Sequence, residues 1–346
     1  MTDARLRILL LSGGRSSEHE VSLSSGAGVL AALDPDRYDV TAVQILRDGR
    51  WQLDGQAVAL AVGPDGEPAL VNLSGGDPRG IDVVFPVLHG PYGEDGTIQG
   101  LCDTVGVACV GSGVAASAVA MDKALFKDLM RSHGIAQVEY VVVHASDWVA
   151  DRDGVRERVR TNIGYPAFAK PARLGSSVGI SRVGGTEELD AALDLALAHD
   201  SKALVERAAI GKEVEVGILG NGPAECSPVG RIVYDAEWYD YDTKYLPDMA
   251  SVEVPAQIAP HVAERVQRLG VEVFGATDCR GMARIDFFAT DDGEVLVSEV
   301  NTIPGFTPTS VYAKLFEAGG IPYGELLDRL IALARQDFVE RSRYAS

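Results

Sequence analysis

The chain has 346 residues, 46% of them hydrophobic and 23% charged, which is room for two or three domains with sizeable cores. Its formal charge of −19 argues against nucleic acid, whose phosphates need Lys and Arg, and against an anionic membrane surface. No apolar run reaches membrane-spanning length, and the four scattered cysteines, Cys102, Cys109, Cys226 and Cys279, match no zinc spacing and read as reduced thiols of a cytoplasmic protein.

The opening segment RILLLSGG reads as a buried strand feeding a glycine turn, not as a signal peptide, which needs a longer apolar core and a cleavage site. YDVTAVQIL and IDVVFPVLHG read as further strands, with helices at SSGAGVLAAL and DGTIQGLCDTVG between them. Such alternation predicts an α/β unit with a mostly parallel sheet. A Gly/Pro/Asp-rich loop is expected near residues 62–80, exposed to solvent. From Ser112 onward one helix, ASAVAMDKALFKDLMRSHG, is predicted to run until Gly134 ends it. Strands at VEYVVV, PAFAKP and GISRV follow, then a helix from Glu187 to His199. A third unit starts with ALVERA and EVEVGIL, continues through a helix near 260–274 and a hairpin, and ends in a helix near 324–336. The chain carries no P-loop and no G-x-G-x-x-G turn, so a nucleotide would be held by other devices.

The hairpin ARIDFFATDDGEVLVSEVN is the most informative stretch. Asp292-Gly293 is a strong two-residue turn signal. With those residues as the loop, Asp291 pairs with Glu294, which brings Asp286 opposite Glu299 and Arg284 opposite Asn301 on one face. Ile285, Phe287, Leu296 and Val300 then share the core face. Carboxylates opposed across a ladder repel and call for a cation. Arg284 supplies part of it, and a magnesium ion held by Asp286, Glu299 and the Asn301 amide oxygen would supply the rest. A solvated face with Arg284 pairing the acids is the plainer reading. Asn301 weighs against it, because the strand breaks there into the glycine loop Thr302-Ile303-Pro304-Gly305.

Lys170 ends a strand, and five residues on comes Gly175-Ser176-Ser177-Val178-Gly179, whose backbone N–H groups could approach phosphate oxygens. Lys123 could add a second charge. Singly, each lysine reads as a surface residue and the loop as a plain turn. Three more polar segments follow strands or form loops: Ser16 to Ser22, His89 to Gly96, and the aromatic stretch Tyr239 to Tyr245.

Together, GGRSSEHEVSLSSG, VLHGPYGEDGTIQG, GSGVAASAVAMDK, KPARLGSSVGIS, YDYDTKYLPD, ARIDFF and SEVNTIPGFTPTS resemble, in order, the D-alanine–D-alanine ligases of the ATP-grasp superfamily, from about Arg7 to about Leu333. The resemblance implies an α/β fold of three domains: an N-terminal substrate domain over 1–111, a central lid over 112–207 and a catalytic domain over 208–346, with ATP between the last two. It implies ligation of two D-alanines through a D-alanyl phosphate for peptidoglycan synthesis, in a cytoplasmic homodimer. Its cofactors are ATP and two magnesium ions, with manganese able to substitute. D-Alanine–D-lactate and D-alanine–D-serine ligases, other ATP-grasp amino-acid ligases, and a nucleotide-binding protein without catalysis are the alternatives.

Carried over by position, Glu18 matches the residue holding the first D-alanine ammonium, with His89 orienting nearby. Lys123 and Lys170 match the phosphate lysines, with Ser177 beside the phosphates, and Ser176 matches the serine linking Glu18 to the loop tyrosine, Tyr245. Lys244, Ser310 and the backbone at Val311 match the groups around the second carboxylate. Glu206 and Glu213 match the adenosine-side acids, Arg284 and the Gly305 N–H the transition-state clamp, and Asp286, Glu299 and Asn301 the metal ligands. Val311 replaces a frequent leucine, and Arg207-Ala208-Ala209 is an unfamiliar version of the adenine segment.

Overall fold

The computed structural model describes residues 5–234 and 250–344, a mixed α/β chain built on three sheets. In the first sheet, Leu6–Gly13 lies between Tyr38–Ile45 and Val83–Pro86, parallel to both, and Ala108–Cys109 adds a fourth parallel strand. Its central strands are continuous apolar runs because both faces are covered. Ile8, Leu10 and Phe85 meet Val29 and the C-terminal helix Tyr323–Ser342, whereas Leu9, Leu11 and Val84 meet Ile98 and Cys102 of the helix Thr97–Val105. The parallel order holds only for this half. Trp51–Leu53, Gln56–Val62, Pro68–Asn72 and Arg79–Gly80 extend the sheet antiparallel, so the loop expected at 62–80 is interrupted by the strand Pro68–Asn72, with Ala69 and Leu70 buried.

The helix expected through Met121 and Lys123 is two helices, Val114–Met121 and Lys123–Ser132. Asp122 breaks it: its backbone is extended, and its carboxylate accepts the N–H groups of Ala124 at 3.1 Å and Leu125 at 3.2 Å. An aspartate doing this is an N-cap, which ends one helix and starts another. Gly134, in the left-handed region at φ 70°, closes the second helix as predicted.

The second sheet is antiparallel, in the order Ser181–Val183, Ala167–Pro171, Lys202–Arg207, Tyr140–His144. Val143, Ala167, Ala169 and Val205 pack beneath the helices Arg152–Asn162 and Thr186–His199, so strand alternation turns Lys170 and Glu206 to the other face. The third sheet runs Ala250–Glu253, Gly230–Tyr234, Lys212–Gly220, Gly281–Ala289, Val295–Asn301, with Glu225–Cys226 also on Lys212–Gly220. Val214, Val216, Ile285 and Phe287 pack on Val262, Val266 and Phe274 of the helix Pro260–Ala276. The same alternation leaves Glu213, Glu215, Arg284 and Asp286 on the opposite face.

The hairpin departs from its expected turn. Thr290 N–H donates to the Glu294 carbonyl at 2.9 Å, and Gly293 adopts φ 96°, so the loop is the three residues Asp291 to Gly293. That shifts the pairing by one, and Phe287 lies against Val297. A bulge at Ser298 then restores the expected register, with Asp286 against Glu299 and Arg284 against Asn301. Between turn and bulge the faces are exchanged: Val295 and Val297 are buried in the core, and Leu296, expected there, is only half-buried.

Candidate active site

Three strands of the third sheet present one row of acids. Glu215 stands opposite Asp286, which stands opposite Glu299, and the next row holds Arg284 against Asn301. The Arg284 guanidinium grips Asp286 with two bonds, Nε to Oδ1 at 2.8 Å and Nη2 to Oδ2 at 2.7 Å, and its Nε lies 2.9 Å from Glu215 Oε2. Burial works against its charge, but Asp286 and Glu215 outweigh that and push its pKa further up. Asn301 Nδ2 donates to Asp286 Oδ2 at 3.2 Å, which leaves the amide oxygen for another partner. From the side, Lys123 Nζ approaches Glu299 Oε2 at 3.6 Å and donates to the Leu174 carbonyl at 2.7 Å.

Among the described residues, this cluster sets the three acids Glu215, Asp286 and Glu299 against the two bases Arg284 and Lys123. Its donors are all oxygens, and the Asp286 and Glu299 side chains keep 18% and 29% exposure. That set suits a hard divalent cation, which would complete its shell from water and phosphate. Among the described residues no group of three or more His, Cys, Asp and Glu side chains could hold a metal by itself. Lys123, Gly175, Glu299, Asn301 and Glu94 line one cleft.

The far wall of the cleft comes from the first sheet. Glu18 immediately precedes the helix His19–Ala32, and Ser176 Oγ donates to its Oε1. Ser176 and Ser177 hold φ values of 51° and 57°, a left-handed pair without glycine, which is strain of the kind found at binding loops. Gly90 is required nearby: at φ 74°, a Cβ there would stand 2.8 Å from Glu18 Oε2. His89 is buried, with Nδ1 3.0 Å from the Ile303 carbonyl and Nε2 3.0 Å from Ser25 Oγ. Burial holds its pKa down, so the ring is neutral. Glu94 accepts the N–H groups of Gly90 at 2.7 Å and Ile303 at 3.0 Å. His89 and Glu94 thus tie the segment after Asn301 to the first sheet. That segment ends at Ser310, whose Oγ accepts Thr307 N–H at 3.0 Å and would lie 3.1 Å from a Cβ on Gly305. Val311 opens the helix Val311–Ala318 there.

The chain matches the model of the D-ala D-ala ligase N-terminus over residues 7–112 and that of the D-ala D-ala ligase C-terminus over residues 129–332. A D-alanine--D-alanine ligase of Deinococcus radiodurans is 50% identical over 337 residues, 96% of this chain and 99% of that protein. The chain belongs to the D-alanine–D-alanine ligase family. The solved D-alanine-D-alanine ligase of Coxiella burnetii superposes with a TM-score of 0.88 at 32% identity, covering 98% of this chain and 97% of its own. A D-Ala:D-Ser ligase of Enterococcus faecalis gives 0.86 at 32% identity, covering 96% and 100%. Membership makes the protein an ADP-forming ligase that uses ATP and a divalent metal. Among the described residues no helix is long and apolar enough to cross a membrane.

Further candidates of this ligase lie on the second and third sheets. Lys170 Nζ is 2.7 Å from Glu206 Oε2 on the second, and half-buried Glu213 shares the Glu215 face of the third. Lys244 and Tyr245 lie outside the described residues. Two members of the constellation escape a reading of motifs. Glu215 was legible in the alternation Glu213-Val214-Glu215-Val216, which puts both acids on one face. Lys127 sits four residues beyond Lys123 on one helix and is fully buried, and nothing in its spacing signals that burial.

Proposed function

We propose that this protein condenses two D-alanines to D-alanyl-D-alanine for peptidoglycan synthesis, with ATP cleaved to ADP and phosphate. The observation that carries the reading is the contact between Ser176 and Glu18, which joins the small-residue loop to the first sheet directly beside the Arg284–Asp286–Glu299 cluster. An ammonium held by Glu18 would set the attached carboxylate toward Lys123 and Arg284. A carboxylate is a poor electrophile, so its oxygen first attacks the γ-phosphorus and ADP leaves. The amine of the second D-alanine then attacks the acyl carbon, and phosphate leaves with the electron pair. Both steps concentrate negative charge, which Arg284 and the Gly305 N–H would meet in place.

Asp286, Glu299 and Asn301 would hold the metal, which supplies charge neutralisation for the phosphates. Two ions, magnesium with manganese as substitute, fit the same proposal. Lys123, Lys170 and the loop at Ser176 and Ser177 would bind phosphates, Glu206 and Glu213 the adenosine, His89 the surroundings of the first substrate. Lys244, Tyr245, Ser310 and the Val311 backbone would take the second. We assign the substrate domain to 1–111, the lid to 112–207 and the catalytic domain to 208–346, in a cytoplasmic homodimer.

D-Serine as second substrate is the alternative, favoured by the likeness to the Enterococcus faecalis D-Ala:D-Ser ligase. Coupled ADP release with D-alanine alone and with D-serine or D-lactate added separates the readings. D-Alanine alone should sustain full turnover at neutral pH. ADP release that needs D-serine or D-lactate would overturn the substrate assignment, and release without any D-amino acid would overturn the ligase reading.

A further inference from the structure

The open face of the second sheet buries one carboxylate between two ammonium groups. Glu206 lies in the central strand Lys202–Arg207, with Phe168 and Tyr140 as its neighbours across the two ladders. Lys170 Nζ stands 2.7 Å from its Oε2, and Lys127 Nζ stands 3.5 Å from its Oε1.

The two lysines are not equivalent. Lys170 is at the end of its strand, next to the Gly175–Gly179 loop, with 12% of its side chain exposed. Lys127 comes from the helix Lys123–Ser132, with 1% exposed. Its ammonium lies 5.5 Å from the Tyr140 ring centroid, and neither it nor Glu206 Oε1 has a hydrogen-bond partner among the described residues. A charge so placed is held by Coulomb attraction and the ring alone, an arrangement that is expensive unless something requires it. Burial also drives the Glu206 carboxyl up, yet Lys127 first and then Lys170 outweigh that and hold its pKa down.

One carboxylate needs one counter-charge, and here there are two. The surplus has a use if Lys170 must leave. A lysine beside a phosphate-binding loop turns toward an incoming polyphosphate, and without a second ammonium it would abandon a buried anion, which is strongly destabilising. We propose that Lys127 is a positioning residue: a fixed counter-charge that keeps Glu206 ionised and oriented while Lys170 moves to the phosphates of bound nucleotide. The inference rests on the nucleotide reading of Lys170 and Glu206 given above. Lys127 itself stays buried and touches no ligand.

Without Lys127, nucleotide binding would have to break the last ion pair on Glu206. The consequence should fall on ATP affinity and leave D-alanine and magnesium alone. ADP release by the full-length enzyme, with melting curves as a check on folding, tests this in Lys127→Met, Glu206→Gln and the double variant. Lys127→Met should raise KM for ATP by at least about tenfold, leaving kcat and KM for D-alanine within about threefold. In the Glu206→Gln background the same substitution should change KM for ATP less than about twofold, because no anion remains to hold. A lysine that merely fills space would matter in both backgrounds. An unmoved KM for ATP in Lys127→Met, or a full tenfold rise added to Glu206→Gln, overturns the proposal. Should Lys127→Met not fold, the double variant, which removes both charges together, decides against Glu206→Gln alone. A wild-type enzyme that releases no ADP would sink the functional reading itself, whereas normal turnover with an indifferent Lys127 sinks this inference alone.

Discussion

Asp286 faces Glu299 only because Ser298 bulges out of the strand between them and the turn. The three-residue loop at Asp291 to Gly293 would by itself place Glu299 opposite Ile285, on the face packed against Val262 and Phe274. A one-residue slip exchanges faces, and the bulge makes that slip where the core ends and the polar site begins. Inserting one alanine between Ser298 and Glu299 should therefore carry Glu299 opposite Ile285, onto the core face, and abolish ligase activity, whereas deleting Ser298 leaves Glu299 opposite Asp286. Ser298→Ala keeps the backbone count and should change stability by no more than about 0.5 kcal/mol. Activity assays and urea melts on the insertion variant and Ser298→Ala check this, and an insertion variant with wild-type turnover refutes the dependence of the site on this register.

Glu299 also meets Lys123, so in the proposed site its charge would serve the lysine as well as a metal. Glu299→Gln keeps the shape and removes the charge. At limiting magnesium, turnover should fall at least about 100-fold, with partial recovery at high magnesium. A magnesium titration identical to wild type would remove Glu299 from the ligand set.

The bond from Ser176 to Glu18 spans the cleft and is charge-assisted. Its loss in Ser176→Ala should cost about 1.5–3 kcal/mol in transition-state binding, roughly a 10- to 100-fold drop in kcat/KM for D-alanine. Thermal stability should barely move, since both side chains lie on loops at the cleft. Steady-state kinetics with ATP saturating measures the drop, and a variant within twofold of wild type would show that the loop is not held by this contact.

Asp122 both caps the helix that carries Lys123 and pairs with Lys202 at 2.5 Å. Asp122→Ala should destabilise the unit that unfolds with this helix by about 1–2 kcal/mol. Because Lys123 follows directly, KM for ATP should rise as well. Urea melts and ATP kinetics test the two effects, and a loss of stability with an unchanged KM would separate the cap from the site.

The elements that were legible in sequence are those with an uninterrupted signal. Buried parallel strands such as Leu6–Gly13 announce themselves by composition, and the pairing of Asp286 with Glu299 followed from counting back from Asp292-Gly293. That count succeeded through two compensating departures, and Leu296, lying between them, was misplaced as a result. The break at Asp122 was hidden because the apolar helical pattern continues across it, and only the cap geometry reveals two axes. Lys127 shows the general difficulty. Sequence spacing puts it on the same helix face as Lys123, but charged residues are ordinarily surface residues, and burial is a property of what packs above them.

Glu94 makes the site sensitive to pH. Burial first, and then the nearby charge of Glu18, raise its carboxyl pKa from the usual 4.5 to about 8, although two backbone N–H groups and Arg284 pull the other way. The native state therefore holds a proton that the unfolded chain gives up above about pH 4.5. This contribution to stability is complete at acid pH and is lost as pH rises through about 8. Glu94→Gln keeps a neutral group of similar shape and removes the titration. The difference in stability, wild type minus variant, should decline by on the order of 2 kcal/mol between pH 5 and 8.5, moderated by the partial exposure of the residue. Taking the difference cancels every other titrating group. Melts of the two proteins in matched buffers measure it, and a difference independent of pH would mean that Glu94 stays ionised while it bridges Gly90 and Ile303.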